Sequence, residues 1–133
     1  MKIILAILIF SVVVIIHELG HFLLAKANHI MVTEFSVGMG PTLLSTVKNE
    51  TKYSLKLLPF GGSCMMLGEN GEEGGEASFN SKSVWARMSV IIAGPLFNLI
   101  LAFFIAIVII SLAGADPARV TSVQEGSAVA EAG

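Results

Sequence analysis

An apolar run from about Ile3 to Ala27 contains His17-Glu18-Leu19-Gly20-His21, and no other feature constrains the chain's fold as much. Histidines four apart project from one face of an α-helix, so both imidazoles can reach a single metal ion. The glutamate next to the first is then placed to polarise a metal-bound water and carry its proton. Ile3 to Ile16 is almost without a polar residue, and Phe22-Leu23-Leu24-Ala25 follows the signature. A soluble metallopeptidase does not need a metal helix that is apolar on every side, so the combination points to hydrolysis within a lipid bilayer. The plain alternative is a pair of interfacial histidines and a glutamate satisfied by neighbouring helices. An acidic residue at the centre of a membrane helix costs about 2.5–3.5 kcal/mol on insertion scales. Three such groups within five residues need a compensating partner, and a bound cation supplies one.

The 133 residues have room for one modest domain, but 54% are apolar and only 14% are charged, and the mean hydropathy is +0.80. A second apolar stretch, Met88 to Ala115, has no charged residue between Arg87 and Asp116. Either stretch is long enough to cross a hydrocarbon core of about 30 Å. The first lacks a small-x-small cleavage site and runs directly into the histidine signature, so it reads as a retained span and not a signal peptide. Lys26, Lys48, Lys52, Lys56, Lys82 and Arg87 lie between the spans or at their inner ends, with only Lys2 and Arg119 outside. The positive-inside rule then puts the connecting segment in the cytoplasm and both ends of the chain on the opposite side. A net charge of −2 gives no reason to expect a nucleic-acid partner. The single Cys64 excludes an internal disulfide and reads as a small buried apolar side chain.

Between the spans, Leu43 to Val47 and Tyr53 to Leu57 read as two strands around a polar turn at Lys48-Asn49-Glu50. Tyr53, Leu55 and Leu57 alternate with Lys52, Ser54 and Lys56. Pro59-Phe60-Gly61-Gly62 is expected to break the second strand, and Ser63 to Leu67 is another short apolar piece. Such a β-element beside a membrane site must hide or pair its backbone groups. It is either a small structural sheet or a template to which an extended substrate adds as a strand. Gly68 to Gly75 reads as a solvated acidic loop, and Ser78 to Arg87 as an interfacial approach helix anchored by Phe79, Lys82, Trp85 and Arg87. In the second span, Asn98 is the one strongly hydrogen-bonding side chain. Interhelical bonding and contact with a substrate backbone are both open to it.

These motifs, in this order, resemble the site-two protease family of intramembrane zinc metalloproteases, most closely its bacterial regulator-of-sigma-E protease branch. The resemblance covers nearly the whole chain. It is carried by Ile16-His17-Glu18-Leu19-Gly20-His21-Phe22, Phe35-Ser36-Val37-Gly38-Met39-Gly40-Pro41, Tyr53 to Gly62, Gly68-Glu69, Phe79-Asn80, Val84-Trp85-Ala86-Arg87 and Ala93-Gly94-Pro95-Leu96-Phe97-Asn98. It implies a multi-pass protease of the bacterial inner membrane that cuts the transmembrane segments of single-pass proteins, such as anti-sigma factors or signal-peptide remnants. By that resemblance His17 and His21 bind Zn2+ and Glu18 is the general base. Asn98, Gly61 and Gly62 engage substrate, with the Tyr53 to Leu67 region presenting it in extended form. The end of the chain, Val120 to Gly133, looks like the opening of a PDZ domain.

The expected fold is therefore a mostly α membrane protein of two transmembrane helices flanking a cytoplasmic-side β-element. Its parts are a zinc-signature helix over 1–29, the β-element and acidic loop over 30–77, the approach helix over 78–87, a second span over 88–115, and the start of a PDZ-like domain over 116–133. Two departures from the family stand out. The family's third zinc ligand, an aspartate in a Leu-Asp-Gly motif on a later helix, has no counterpart here, since Asp116 sits in Ala115-Asp116-Pro117. Gly62-Ser63-Cys64-Met65 also replaces the more usual Gly-Tyr-Val-Lys, which bears on substrate preference and not on the chemistry. The chain thus reads as the N-terminal part of a longer protein, and the fragment alone is expected to be inactive. Two rival readings remain, a catalytically inactive membrane-embedded binding module and a metal transporter. The second is disfavoured by the glutamate between the histidines.

Overall fold

The computed structural model describes residues 1–71 and 75–114. Helix α1 spans Lys2–Ala27, strands β1 (Val32–Lys48) and β2 (Thr51–Met66) form an antiparallel pair, and helix α2 spans Val84–Ala113. At 1.5 Å per residue, α1 and α2 are about 39 and 45 Å long, enough to cross a bilayer. Both leave their apolar side chains uncovered. Ile3 is 77% exposed and Phe103 63%, where the core helix of a water-soluble domain would bury such residues. The pattern is that of an integral membrane protein, with two helices long and apolar enough to cross a membrane flanking the sheet.

The β-hairpin forms where alternation predicts it, and its turn is tight. Lys48 pairs with Thr51, and Asn49 and Glu50 both take positive φ (49° and 62°), as a two-residue turn matched to strand twist requires. Both strands are longer than expected. The Pro59-Phe60-Gly61-Gly62 segment does not end β2. The strand bends there, opposite Gly38-Met39-Gly40 of β1, and continues to Met66. Gly61 makes the bend possible: its φ is +84°, and a Cβ on it would lie 2.7 Å from Met39 Cγ. As a result, Glu34 to Val37 has two sets of partners. Its residues register with Met65, Cys64, Ser63 and Gly62 in the antiparallel sense, and with Lys52, Tyr53, Ser54 and Leu55, where the numbers rise together. Two doubled-back strands thus give the width of a larger sheet.

The expected approach helix over 78–87 is not a separate element. A 3₁₀ turn at Phe79–Ser81 leads to Ser83, whose hydroxyl caps α2 by accepting from Ala86 N–H at 3.3 Å. Trp85 and Arg87 therefore belong to the first turns of α2, which begins before the expected Met88. The expected PDZ opening lies outside the described residues, as does part of the acidic loop.

The buried core is small and lies where the elements meet. Ala25, Ile30, Val32, Cys64 and Val90 are buried together, with Phe22, Phe35, Met66 and Phe79 packed against them. This cluster fixes the inner end of α1 to the start of α2 and to the far end of β2. Thr51 Oγ1 donates to Val32 O at 2.8 Å, which joins the hairpin to the start of β1. The helices touch backbone to backbone: a Cβ on Gly20 would lie 2.8 Å from the Ala93 carbonyl carbon.

Candidate metal centre

His17 and His21 sit on the face of α1 that meets α2, with ring centroids 4.8 Å apart and ring planes at 78°. The helical spacing sets them one turn apart, and Gly94 of α2 leaves the room they occupy. A Cβ on Gly94 would lie 2.6 Å from His17 Nε2 and closer still to His21 Nε2. Both Nε2 atoms therefore converge on one cradle that any side chain at position 94 would fill.

The other ring nitrogens are held from behind. His21 Nδ1 is 2.7 Å from the Val90 carbonyl oxygen, and His17 Nδ1 is 3.1 Å from Asn98 Nδ2. Partners at Nδ1 fix ring orientation and leave Nε2 facing the cradle, and ligating histidines are commonly held from behind in this way. The pair fits a zinc ion as two of its ligands, on the grounds of donor type, convergence and support at Nδ1. Among the described residues no third His, Cys, Asp or Glu joins them in a metal-holding cluster. The Glu69 carboxylate, in the wall of the neighbouring cavity, accepts from Met66 N–H at 3.4 Å.

Glu18 lines a cavity of about 300 Å3 with His21, Cys64, Met66, Glu69, Phe79, Val90 and Ile91. One histidine and the neighbouring carboxylate thus share a space large enough for several waters. A wider cavity of about 430 Å3 on the sheet is lined by Phe35, Val37, Leu44 and Tyr53 among others, and it contains neither histidine nor Glu18. Cys64 is buried at the wall of the smaller cavity. Burial, then the carboxylates of Glu18 and Glu69, push its thiol up from about 9 to about 12, with Lys26 acting in the opposite direction. It is therefore an uncharged thiol at neutral pH.

Strand β2 approaches α1 at this level. The Ser11 hydroxyl donates to Pro59 O, and a Cβ on Gly62 would lie 3.5 Å from Glu18 Cγ. Gly62 thus brings bare backbone up to the glutamate, whereas Gly61 faces Met39 across the sheet. Of the residues expected at the site, the structure gathers His17, Glu18, His21, Gly62 and Asn98. Gly94 and the Val90 carbonyl are further members that sequence reading did not single out. Gly94 lay in a quoted motif, but a carbonyl can come from any residue and has no signal.

A profile of peptidase family M50 matches residues 5–132. A Clostridium acetobutylicum protein named as a candidate zinc metalloprotease is 52% identical over 101 residues, covering 76% of this chain and 30% of that protein. One from Clostridium perfringens, named likewise, is 44% identical over 133 residues, covering 100% of this chain and 40% of its own length. One from Thermotoga maritima is 38% identical over 138 residues, covering 100% and 28%. The chain thus spans well under half the length of these relatives.

Proposed function

The chain belongs to peptidase family M50, and from that premise we propose that it forms the zinc-binding front part of an intramembrane metalloendopeptidase. The observation that carries this reading is the convergence of His17 and His21 Nε2 at Gly94, with Glu18 on the adjoining cavity. The names of the relatives support zinc as the metal and proteolysis as the chemistry. Zinc held by His17 and His21 would lower the pKa of a water and polarise a peptide carbonyl. Glu18 takes the proton from the attacking water and returns it to the departing amine. The cavity it shares with His21, lined by both polar and apolar side chains, has room for that water.

The substrate class is the transmembrane segment of a single-pass protein. A helical segment hides its carbonyls in its own hydrogen bonds, so it must be opened before attack. Among the described residues, Gly62 to Met66 has strand partners on one side only, in β1, and Gly62 stands beside Glu18. An extended substrate laid along that open edge would bring its backbone to the glutamate. The six basic residues between or at the inner ends of the helices support a sheet on the cytoplasmic side of a bacterial inner membrane.

The test is cleavage of a single-pass reporter co-expressed with the full reading frame that contains this chain. Wild type should cut it in a chelator-sensitive way, and Glu18→Gln should lose cleavage while keeping zinc. Undiminished cleavage by Glu18→Gln would remove the general-base assignment. Reporter capture without any cutting would favour a binding module.

A further inference from the structure

The supports behind the two histidines differ in what they dictate. A carbonyl oxygen only accepts, so Val90 keeps the neutral His21 proton on Nδ1 and leaves Nε2 a lone pair. An amide is ambivalent. With Asn98 Nδ2 at 3.1 Å from His17 Nδ1, the amide N–H donates, and the ring proton must sit on Nε2. That proton would point into the cradle at Gly94, leaving His17 no lone pair for a cation. In this orientation Asn98 Oδ1 is buried with no hydrogen-bond partner among the described residues.

A half-turn of the amide about its terminal bond exchanges oxygen and nitrogen with almost no change of shape. Oδ1 then accepts from His17 Nδ1–H, and Nε2 becomes a lone pair that matches His21. One end of the amide lacks a partner in either orientation, so counting hydrogen bonds at Asn98 does not choose between them. His17 chooses, because only one orientation leaves both Nε2 lone pairs facing the cradle.

We propose that Asn98 is a positioning residue that sets the His17 tautomer, presenting Oδ1 to Nδ1–H so that His17 offers Nε2 to the metal. This rests on the metal-site reading above, and it gives Asn98 a role through His17 where a direct contact with substrate was expected. It also explains why a polar side chain is placed 81 residues away from its partner, in the middle of the apolar stretch of α2. An amide with one unpaired end is costly there in either orientation, so its retention calls for a role such as the one at His17.

The test reads the tautomer directly, without metal. Imidazole nitrogen NMR on the whole chain in detergent micelles, with 15N-labelled histidine at about pH 8, separates Nδ1–H from Nε2–H when the rings are neutral. Wild-type His17 should carry its proton on Nδ1, as His21 does. Asn98→Leu should move the His17 proton to Nε2, the form a free imidazole favours in water, while His21 stays unchanged as a check on the fold. Asn98→Asp, which can only accept, should keep a proton on Nδ1. In a following zinc titration, Asn98→Leu should bind about 10–100-fold more weakly than wild type.

A wild-type His17 protonated on Nε2, or an unchanged tautomer in Asn98→Leu, overturns the proposal. If Asn98→Leu does not fold, loss of the Nδ1 proton in Asn98→Asp overturns it equally. Expected tautomers in a wild-type chain that ignores zinc would uphold the role of Asn98 and sink the metal reading instead.

Discussion

Gly94→Ala tests the cradle with a single methyl group. The ideal Cβ lies 2.6 Å from His17 Nε2 and 2.7 Å from His17 Cε1, and nearer still to His21 Nε2. Carbon atoms in ordinary contact keep about 3.5 Å or more, so each ring must retreat by roughly 1 Å. Metal–ligand distances tolerate only about 0.2 Å, and a shift of that size removes the two nitrogens from a common point. The helices cannot part to make room without cost, because Gly20 already places α1 against the Ala93 backbone. Overpacking of this kind costs about 1–3 kcal/mol. Charged to the metal site, that is about a 5- to 150-fold loss of zinc affinity, at tenfold per 1.4 kcal/mol. The assay is a zinc titration of the purified chain in micelles, read at the histidine side chains, with thermal unfolding run alongside. Affinity within threefold of wild type, together with an unchanged unfolding temperature, would refute the cradle geometry.

Three further outcomes follow from other parts of the molecule. Cys64, with its thiol pushed up to about 12, should react with a maleimide far more slowly at pH 8 in the folded chain than after denaturation, because the thiolate is the nucleophile. The raised value also means that the thiol's contribution to stability is intact below about pH 9 and is lost as pH climbs towards 12, which alkaline unfolding would register. Trp85 is the single tryptophan and is 79% exposed at the start of α2. In vesicles its fluorescence should be quenched more by labels at headgroup depth than by labels at the bilayer centre, as expected of an interfacial anchor. Stronger quenching from the centre would mean that α2 enters the membrane elsewhere.

What could be read from the sequence follows from the range of the interactions involved. The helix with two histidines on one face is a local matter of spacing, and so is each span, set by a continuous apolar run. The hairpin around Asn49-Glu50 was visible because Tyr53, Leu55 and Leu57 alternate. The first half of β1 was not, because after Val32 its buried positions are Ser36 and Gly38, neither of them apolar, and the Ser36 hydroxyl bonds the Ser63 hydroxyl at 2.8 Å across the sheet. Proline and two glycines at residues 59–62 read as a break, yet opposite Gly38 to Gly40 they form a matched bend, a relation between two strands that no local window contains. At the candidate site, the two histidines on one helix face and the glutamate beside them were legible from spacing. The choice of Asn98's partner was not, since spacing within α2 cannot say which residue of α1 it meets. The approach helix was inferred from anchoring residues that instead open α2, because Ser83 caps a helix at that point.

The central claim is that His17 and His21 together hold zinc. A zinc titration followed by histidine side-chain NMR tests it most directly, since the chain has three histidines and His29, exposed beyond the end of α1, serves as the internal control. His17 and His21 should respond together with a single midpoint, and Glu18→Gln should leave that midpoint in place while His29 stays still. Zinc that moves all three histidines alike, or leaves His17 and His21 unmoved, would contradict it.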